Sequence, residues 1–487
     1  MEKTQSLKAG KKVVSNSLWG IGSNILQNVF LGLFFVIIAR QYSKADFADY
    51  IVANNAYQLV AAFSTMGLGQ WFTREMVNAK SREATVNTFL KLQLILGVVF
   101  YVVNMIFVFA MYKDPLIRSI SVYVGINILF DNIIYALKSL NVAEHKQKKN
   151  FQILLIEASL KLLLGVVLIF QSFSIVYLSV FAIVFRFLTL NLFLRIGASN
   201  LVSLTGLIRQ RITRSDFKNI VFANWAFIVI GSISVVYWSI GKLIISKTLS
   251  DADIANYEIA FKLFSISQII PVIISTTVFP ILVTYFKNND IPGFRRFYQN
   301  VFFIYFLFGL VTYTFIYSFA DILLPFAFGA KYGGTTEPTQ MMFLTILLFP
   351  TALLQANVLV AMKLEKLDMI LNLVSLVLNI SISLIALQFV RSLTVINLSI
   401  FASFFVFHLL QDIILYRKGM TDSKHIFLFY SGSIVFISAY IALQPFVHPV
   451  VYFVLVWLLV GFFAIRYLQK HMDPDLLPWK KKAATAR

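Results

Sequence analysis

The sequence contains no cysteine, which excludes structural disulfides and thiolate metal centres. Histidine is scarce. His145, His408, His425, His448 and His471 are scattered, with no ligand-like spacing, which argues against a metal site. Acids are few: 22 Asp and Glu stand against 42 Lys and Arg, a formal net charge of +20. Long polar stretches are also missing. No connection between apolar segments is long enough to hold a folded domain, and the segments expected outside are nearly free of acids and histidines. An enzyme that needs an extracellular catalytic domain is therefore disfavoured.

Apolar residues dominate instead. The chain is 59% hydrophobic with a mean hydropathy of +0.79, where soluble domains run at about 45–50% apolar. The excess falls into runs of roughly 20 residues or more, the length that crosses a hydrocarbon core. The first run starts near Val13, is too long for a signal-peptide core and is expected to be a retained helix. The pattern predicts about fourteen helices. Six lie near 16–39, 47–72, 88–112, 115–137, 151–171 and 174–195. Four more lie near 219–246, 254–284, 297–319 and 339–362, and four near 368–388, 392–415, 426–443 and 450–468.

The positive charge recurs in every second connection. It includes Lys8, Lys11 and Lys12; Arg74 and Arg82; Lys138, Lys146, Lys148 and Lys149; Arg209, Arg211 and Arg214; Arg295 and Arg296; Arg417 and Lys418; and Lys480 to Lys482. The alternate connections carry only Arg40, Lys44, Lys113, Arg118, Lys247, Lys331 and Arg391. Such alternation is a topology signal rather than a nucleic-acid signal, and it places both termini in the cytoplasm. The longest connections are expected near 197–217 inside and 320–338 outside.

Residues 37–53 and 244–260 form an internal repeat at an offset of 207, with 8 of 17 positions identical. The identities are Ile37/Ile244, Ile38/Ile245, Ser43/Ser250, Ala45/Ala252, Asp46/Asp253, Ala48/Ala255, Tyr50/Tyr257 and Ala53/Ala260. The repeat equates helices 1 and 2 with helices 7 and 8. The expected architecture is an all-α polytopic membrane protein with two pseudo-symmetric six-helix bundles, 1–197 and 218–416. A cytoplasmic linker, 198–217, would join them, and a terminal helix pair with a cytoplasmic tail, 417–487, would follow. Membrane proteins built from two similar halves are most often transporters with the substrate site between the halves.

Polar stripes mark helix faces that avoid lipid. Asn16, Gly20, Asn24 and Asn28 are spaced by four, with Ser17, Ser23 and Gln27 beside them. Asn54, Asn55 and Gln58 follow on helix 2, Asn224 on helix 7, Gln355 and Asn357 on helix 10, and Asn372, Ser375 and Asn379 on helix 11. They either line a hydrated cavity or hydrogen-bond helix to helix. Intramembrane charges are costly and call for a reason. Lys161, Arg186, Lys242 and Lys262 are the cations; Asp131, Glu157, Glu258 and Asp412 are the anions. Glu157/Lys161 and Glu258/Lys262 have i,i+4 spacing in the favourable order. Arg186 and Lys242 lack a local counter-ion, so each either faces a phosphate in a cavity or pairs with an acid on another helix. Asp131, Glu157 and Glu258 are candidates for proton or sodium coupling. Lys91 and Asp412 are expected to snorkel to the inner surface.

Asp251-Ala252-Asp253 resembles the DxD of glycosyltransferases only superficially, since its repeat copy reads Lys44-Ala45-Asp46. Asp46 and Asp253 are read as helix N-caps. Pro271 and Pro280 are expected to kink helix 8 and Pro350 helix 10.

ARQYSKADFADY (39–50) followed by MGLGQWFTRE (66–75) resembles the amino-terminal signature of the polysaccharide-biosynthesis flippases. ANYEIAFKLFSISQIIPVIISTTVFPIL (255–282) and LLPFAFGAKYGG (323–334) resemble the family's later motifs, in the same order. Ala48 and Ala255 replace the family's usual glycine, and Tyr42 its usual leucine. The resemblance implies a member of the multidrug/oligosaccharidyl-lipid/polysaccharide (MOP) exporter superfamily in the bacterial inner membrane. It implies two six-helix bundles forming a V around a cationic cavity, with no enzymatic activity and no cofactor beyond a coupling H+ or Na+. Its substrate would be undecaprenyl-pyrophosphate-linked oligosaccharide, moved to the outer leaflet for lipopolysaccharide O-antigen, capsule or exopolysaccharide synthesis, beside a polymerase or ligase. The headgroup site would draw on Arg186, Lys242, Lys262, Lys161, Asn24, Asn28, Asn54, Gln58 and Asn224. The competing expectations are a multidrug antiporter and a peptidoglycan-precursor flippase of the same superfamily.

Overall fold

The computed structural model describes residues 22 and 24–471, apart from 80, 145, 198–201, 203, 211, 214, 216, 219 and 221–224. The described residues are helical, with no strand among them. Twelve helical stretches among them are long and apolar enough to cross a membrane. With Lys44–Ser64 and Trp225–Thr248 they fall at the fourteen places where helices are expected. Residues such as Val98, Val102, Ile106, Ile434, Val435, Leu458 and Phe463 are exposed along these helices. Such continuous apolar faces suit lipid rather than water. The chain is a multi-pass membrane protein.

The chain divides into two compact units, Met1–Glu258 and Ile259–Arg487. The first unit contains α1 (Asn24–Gln41), α2 (Lys44–Ser64), α3 (Gly69–Asn78), α4 (Arg82–Met111), α5 (Pro115–Ala143), α6 (Gln147–Phe170), α7 (Ile175–Ile196), the short α8 (Leu204–Arg209), α9 (Trp225–Thr248) and the start of α10 (Asp251–Ser267). α5 is the hub and packs on α2, α3, α4, α6 and α7. Phe72 of α3 stacks on Phe89 of α4, with ring centroids 4.3 Å apart, and Leu92, Leu96, Leu137 and Phe193 complete a dry core around them. In lipid, where apolar burial between helices adds little, such close packing and hydrogen bonding hold the bundle.

The second unit contains the rest of α10, then α11 (Ile269–Lys287), α12 (Ile291–Phe328), α13 (Thr336–Phe343), α14 (Phe349–Ala361), α15 (Glu365–Phe389), α16 (Leu393–Arg417), α17 (Ser423–Leu443) and α18 (Pro449–His471). α12 is its spine and packs on α11, α13, α14, α17 and α18. Gly309 lets the α12 backbone approach residues 344–347, because an added Cβ would lie 2.9 Å from the Ile346 carbonyl oxygen. The terminal pair α17 and α18 is tied to α12 by hydrogen bonds from Trp457 to Thr314 (2.9 Å) and between Ser318 and Tyr440 (2.7 Å).

Four local expectations are corrected. The second predicted helix is two, because Met66 and Gly67 take positive φ (50° and 58°) and break it between α2 and α3. The expected outer loop at 320–338 is mostly helix: α12 continues to Phe328, and only Gly329, at φ 96°, ends it. Pro350 does not kink a continuous helix 10. It stands in the first turn of α14, after a 3-10 segment at Leu344–Leu347, where its missing N–H costs nothing. Pro271 similarly follows a break at Gln268, while Pro280 does lie inside α11.

The repeat copies are also capped differently from expectation. Ser43 is the N-cap of α2; its hydroxyl accepts from the Asp46 amide (3.1 Å) and donates to the Asp46 carboxylate (2.7 Å). Ser250 and Asp253 repeat the arrangement, and the Asp253 carboxylate also accepts from the Ser250 amide at 3.1 Å. Each aspartate is the third helical residue, not the cap itself, and at Ser250/Asp253 the pair closes a reciprocal capping box.

Candidate functional site

Four helices of the first unit bring ionisable side chains together. Asp131 comes from α5, Glu157 and Lys161 from α6, and Arg186 from α7. The i,i+4 spacing brings Lys161 Nζ to 2.7 Å from Glu157 Oε1. Arg186 bridges the other helices, with Nη1 2.9 Å from Glu157 Oε2 and Nε 3.0 Å from Asp131 Oδ1. Thr189, one turn along α7, donates to Glu157 Oε2 at 3.1 Å. Tyr57 of α2 donates to Asp131 Oδ2. Glu157 is thus almost wholly buried but accepts from three partners, the condition under which a buried carboxylate can stay ionised. Arg186 is not an unpaired cation. Its planar fork spans two acids, a geometry that lysine cannot supply.

Asp131, Glu157, Lys161 and Arg186 line a cavity of about 360 Å³ together with Gln27, Thr65, Tyr135 and Lys138. Its charged lining comprises Lys138, Lys161 and Arg186 against Asp131 and Glu157, one positive charge in excess. Among the described residues Lys138 makes no salt bridge. The sequence pattern alone places it among the basic residues of an inner connection, just past a helix end. In the structure α5 runs on to Ala143, which sets Lys138 inside the helix and on the cavity face.

The other expected site residues lie elsewhere. Lys242 of α9 is 5% exposed and pairs with Glu258 of α10 at 3.1 Å, so Glu258 has a partner other than the expected Lys262. Lys262 stands one turn further along α10, half-buried. Asn28 donates to the Asn24 side chain (2.7 Å) and carbonyl (2.8 Å). Asn54 donates to the Tyr50 carbonyl of its own helix (2.8 Å), and Gln58 is exposed. None of these lines the cavity; from the helix 1 stripe, Gln27 does. Asn224, Asn16, Ser17, Gly20 and Ser23 lie outside the described residues. Lys91 donates to the carbonyls of Ile208 (3.2 Å) and Gln210 (2.5 Å) at the end of α8. Among the described residues, no group of His, Cys, Asp and Glu is arranged to hold a metal ion.

Asp412 also departs from expectation. It does not snorkel but is 2% exposed, because α16 is packed by α13, α14 and α15 along its length. It joins His408, Gln355 and Tyr430 in a second buried polar cluster.

The model of the polysaccharide biosynthesis protein family matches residues 13–286, more than half of the chain. The chain belongs to this family. A search of the curated proteins returns no match. Among solved structures, an inward-facing multidrug resistance MATE family transporter of the MOP superfamily superposes with a TM-score of 0.68 at 13% identity, covering 82% of this chain and 96% of its own. A MOP superfamily transporter from Pyrococcus furiosus gives 0.62 at 12% identity, covering 84% and 95%. An outward-facing MATE transporter gives 0.59 at 13%, covering 84% and 96%. At these identities the likeness is one of fold, and this member of the polysaccharide biosynthesis family shares the MOP superfamily fold.

Proposed function

We propose that this protein is a flippase that carries undecaprenyl-pyrophosphate-linked oligosaccharide from the cytoplasmic to the outer leaflet. In this proposal it is no enzyme, both termini are cytoplasmic, the membrane is the bacterial inner membrane, and a polymerase or ligase consumes the product. The observation that carries the proposal is the cavity's excess positive charge, with Lys138 outside the ion-pair network. A sugar diphosphate cannot enter hydrocarbon unaided, since burying its charges and hydroxyls costs many kcal/mol. Lys138 would meet a phosphate oxygen, while Gln27, Thr65 and Tyr135 offer donors and acceptors to nearby oxygens. Arg186 and Lys161 would hold the wall's shape through Glu157 and Asp131. The prenyl chain would stay in lipid while the cavity opens to each leaflet in turn, as in other transporters of repeated architecture.

A cavity for cationic drugs would carry an excess of acids, and this one carries the reverse. Family membership supports a glycan cargo, and the superfamily fold of the solved neighbours supports transport. The test is lipid-linked glycan in native membranes with and without the gene, identified by mass spectrometry and assigned to a leaflet with an impermeant probe. Glycan trapped in the cytoplasmic leaflet of the deletion strain is expected. Unchanged leaflet distribution with altered drug sensitivity would instead establish the antiporter.

A further inference from the structure

The break between α2 and α3 adjoins the cavity wall of the first unit. Met66 and Gly67 hold φ of 50° and 58° there. A methionine in that region is strained, and such backbone persists only where its surroundings over-determine it. Two side-chain amides from other helices do so on the α2 side. Asn132 Nδ2 of α5 donates to the carbonyls of Ser64 and Gln93, both at 3.1 Å. Gln93 Nε2 of α4 donates to the Thr65 carbonyl at 3.2 Å. Ser64, Gln93 and Asn132 are fully buried, so Thr65 is fixed where it lines the cavity.

The α3 side is held through Tyr135 of α5. Leu68 is the N-cap of α3 and offers no side-chain acceptor to the first amides of that helix. The Gly69 amide donates instead to the Tyr135 hydroxyl at 2.7 Å. A backbone amide can only donate, so the tyrosine oxygen accepts. The same hydroxyl meets the Thr65 side chain and so touches both sides of the break. Residue 69 is glycine for a steric reason. A Cβ there would lie 2.6 Å from the Tyr135 hydroxyl oxygen and 2.7 Å from Ser139 Oγ. Both are side-chain tips, so a larger residue would displace Tyr135 rather than the backbone.

Tyr135 stands one turn before Lys138 on α5, and both line the cavity. We infer that the α2–α3 break serves to position Tyr135, that Tyr135 contacts the cargo phosphate beside Lys138, and that Gly69 is the positioning residue behind it. The amide hydrogen bond polarises the hydroxyl and strengthens its donation. A phosphate oxygen can only accept, and a charged acceptor takes the hydroxyl's hydrogen in preference to Thr65. A hydroxyl already anchored loses little freedom when cargo arrives. The identity of the cargo rests on the flippase proposal; the tie between Gly69 and Tyr135 does not.

The test uses the full chain in lipid nanodiscs, with inorganic pyrophosphate as the probe and calorimetry as the readout. Y135F keeps the ring and removes the hydroxyl. G69A changes no residue that lines the cavity. Both variants should melt close to wild type and bind pyrophosphate roughly tenfold more weakly, the worth of a hydrogen bond to a charged group. In the Y135F background G69A should cost nothing further, because it acts through the hydroxyl. Wild-type affinity in Y135F overturns the phosphate contact. Wild-type affinity in G69A, or a G69A loss that persists in full on top of Y135F, overturns the positioning role. Should G69A misfold, hydrogen exchange decides that role: Y135F should speed exchange in peptides spanning residues 67–73 roughly fivefold, and an unchanged rate overturns it. Wild-type protein that binds no pyrophosphate sinks the proposed headgroup site, and the exchange rates still decide the tie.

Discussion

Arg186 and Lys138 line the same cavity but answer differently to mutation. Arg186 is held by Glu157 and Asp131 on two other helices, so among the described residues Arg186→Ala leaves Asp131 without a cation and Glu157 with Lys161 alone. Breaking such a pair costs about 3–5 kcal/mol, and the variant should lose thermal stability in detergent. Adding Asp131→Asn should recover part of that loss, which a thermal-shift series would reveal; no recovery would mean that the pair does not hold the bundle. Lys138→Ala removes no ion pair among the described residues, so stability should hold. On the flippase proposal, flipping should fall by roughly ten- to a hundredfold, the worth of a charged hydrogen bond at about 1.5–3 kcal/mol. Normal flipping by Lys138→Ala at normal abundance would remove that residue from the proposed headgroup site. The Glu157–Lys161 bridge is legible in the sequence because one helix sets its spacing. The links from Arg186 to Asp131 and from His408 to Tyr430 are not, since each joins separate helices. Asp412 is misread for a related reason: distance from a helix end sets snorkelling only when no neighbour covers that end.

At the scale of elements, boundaries follow local chemistry. The two Ser/Asp pairs open α2 and α10 at matching places in the repeat. Ser43→Ala should therefore destabilise by about 1 kcal/mol, as should Ser250→Ala, read as matched downward shifts in melting temperature. Asp422 opens α17 by accepting from the His425 amide at 2.7 Å, and also pairs with Arg295 at 2.9 Å. The amide hydrogen bond first, and the guanidinium second, hold its carboxyl below the usual aspartate range. Since the folded value is depressed, its contribution is complete above the unfolded value of about 3.9 and fades as pH falls through the folded value. The melting-temperature gap between wild type and Asp422→Asn should close on acidification below about pH 4. A gap that widened there would contradict the assignment. Hydropathy located the spans, because length and apolarity are properties of a segment. It did not locate the breaks at Met66–Gly67 and at residues 344–348, where the sequence stays apolar and only packing and positive φ mark the change.

For the whole molecule, the missing cysteines become a tool. The native chain is already a cysteine-free background, so single cysteines report sidedness without other changes. Replacing Lys148, Lys366 or Lys418 with cysteine should allow labelling by an impermeant maleimide only from the cytoplasmic side. Cysteines at Lys113 or Arg391 should label only from outside. Reversed labelling at both sets would invert the topology read from the basic loops, and with it the direction of transport.

The sequence by itself determined the membrane class, the places of the apolar spans, the repeat and the family resemblance that the family match upholds. These are properties of segments, readable from apolar length, charge alternation and local motif. The tertiary structure decided which charges are spent on one another and which stay outside the ion pairs. It set Arg186 between two acids, left Lys138 outside the ion pairs of the cavity wall and buried Asp412 against His408. Interactions between helices depend on which faces pack together, and no spacing within a single helix encodes that.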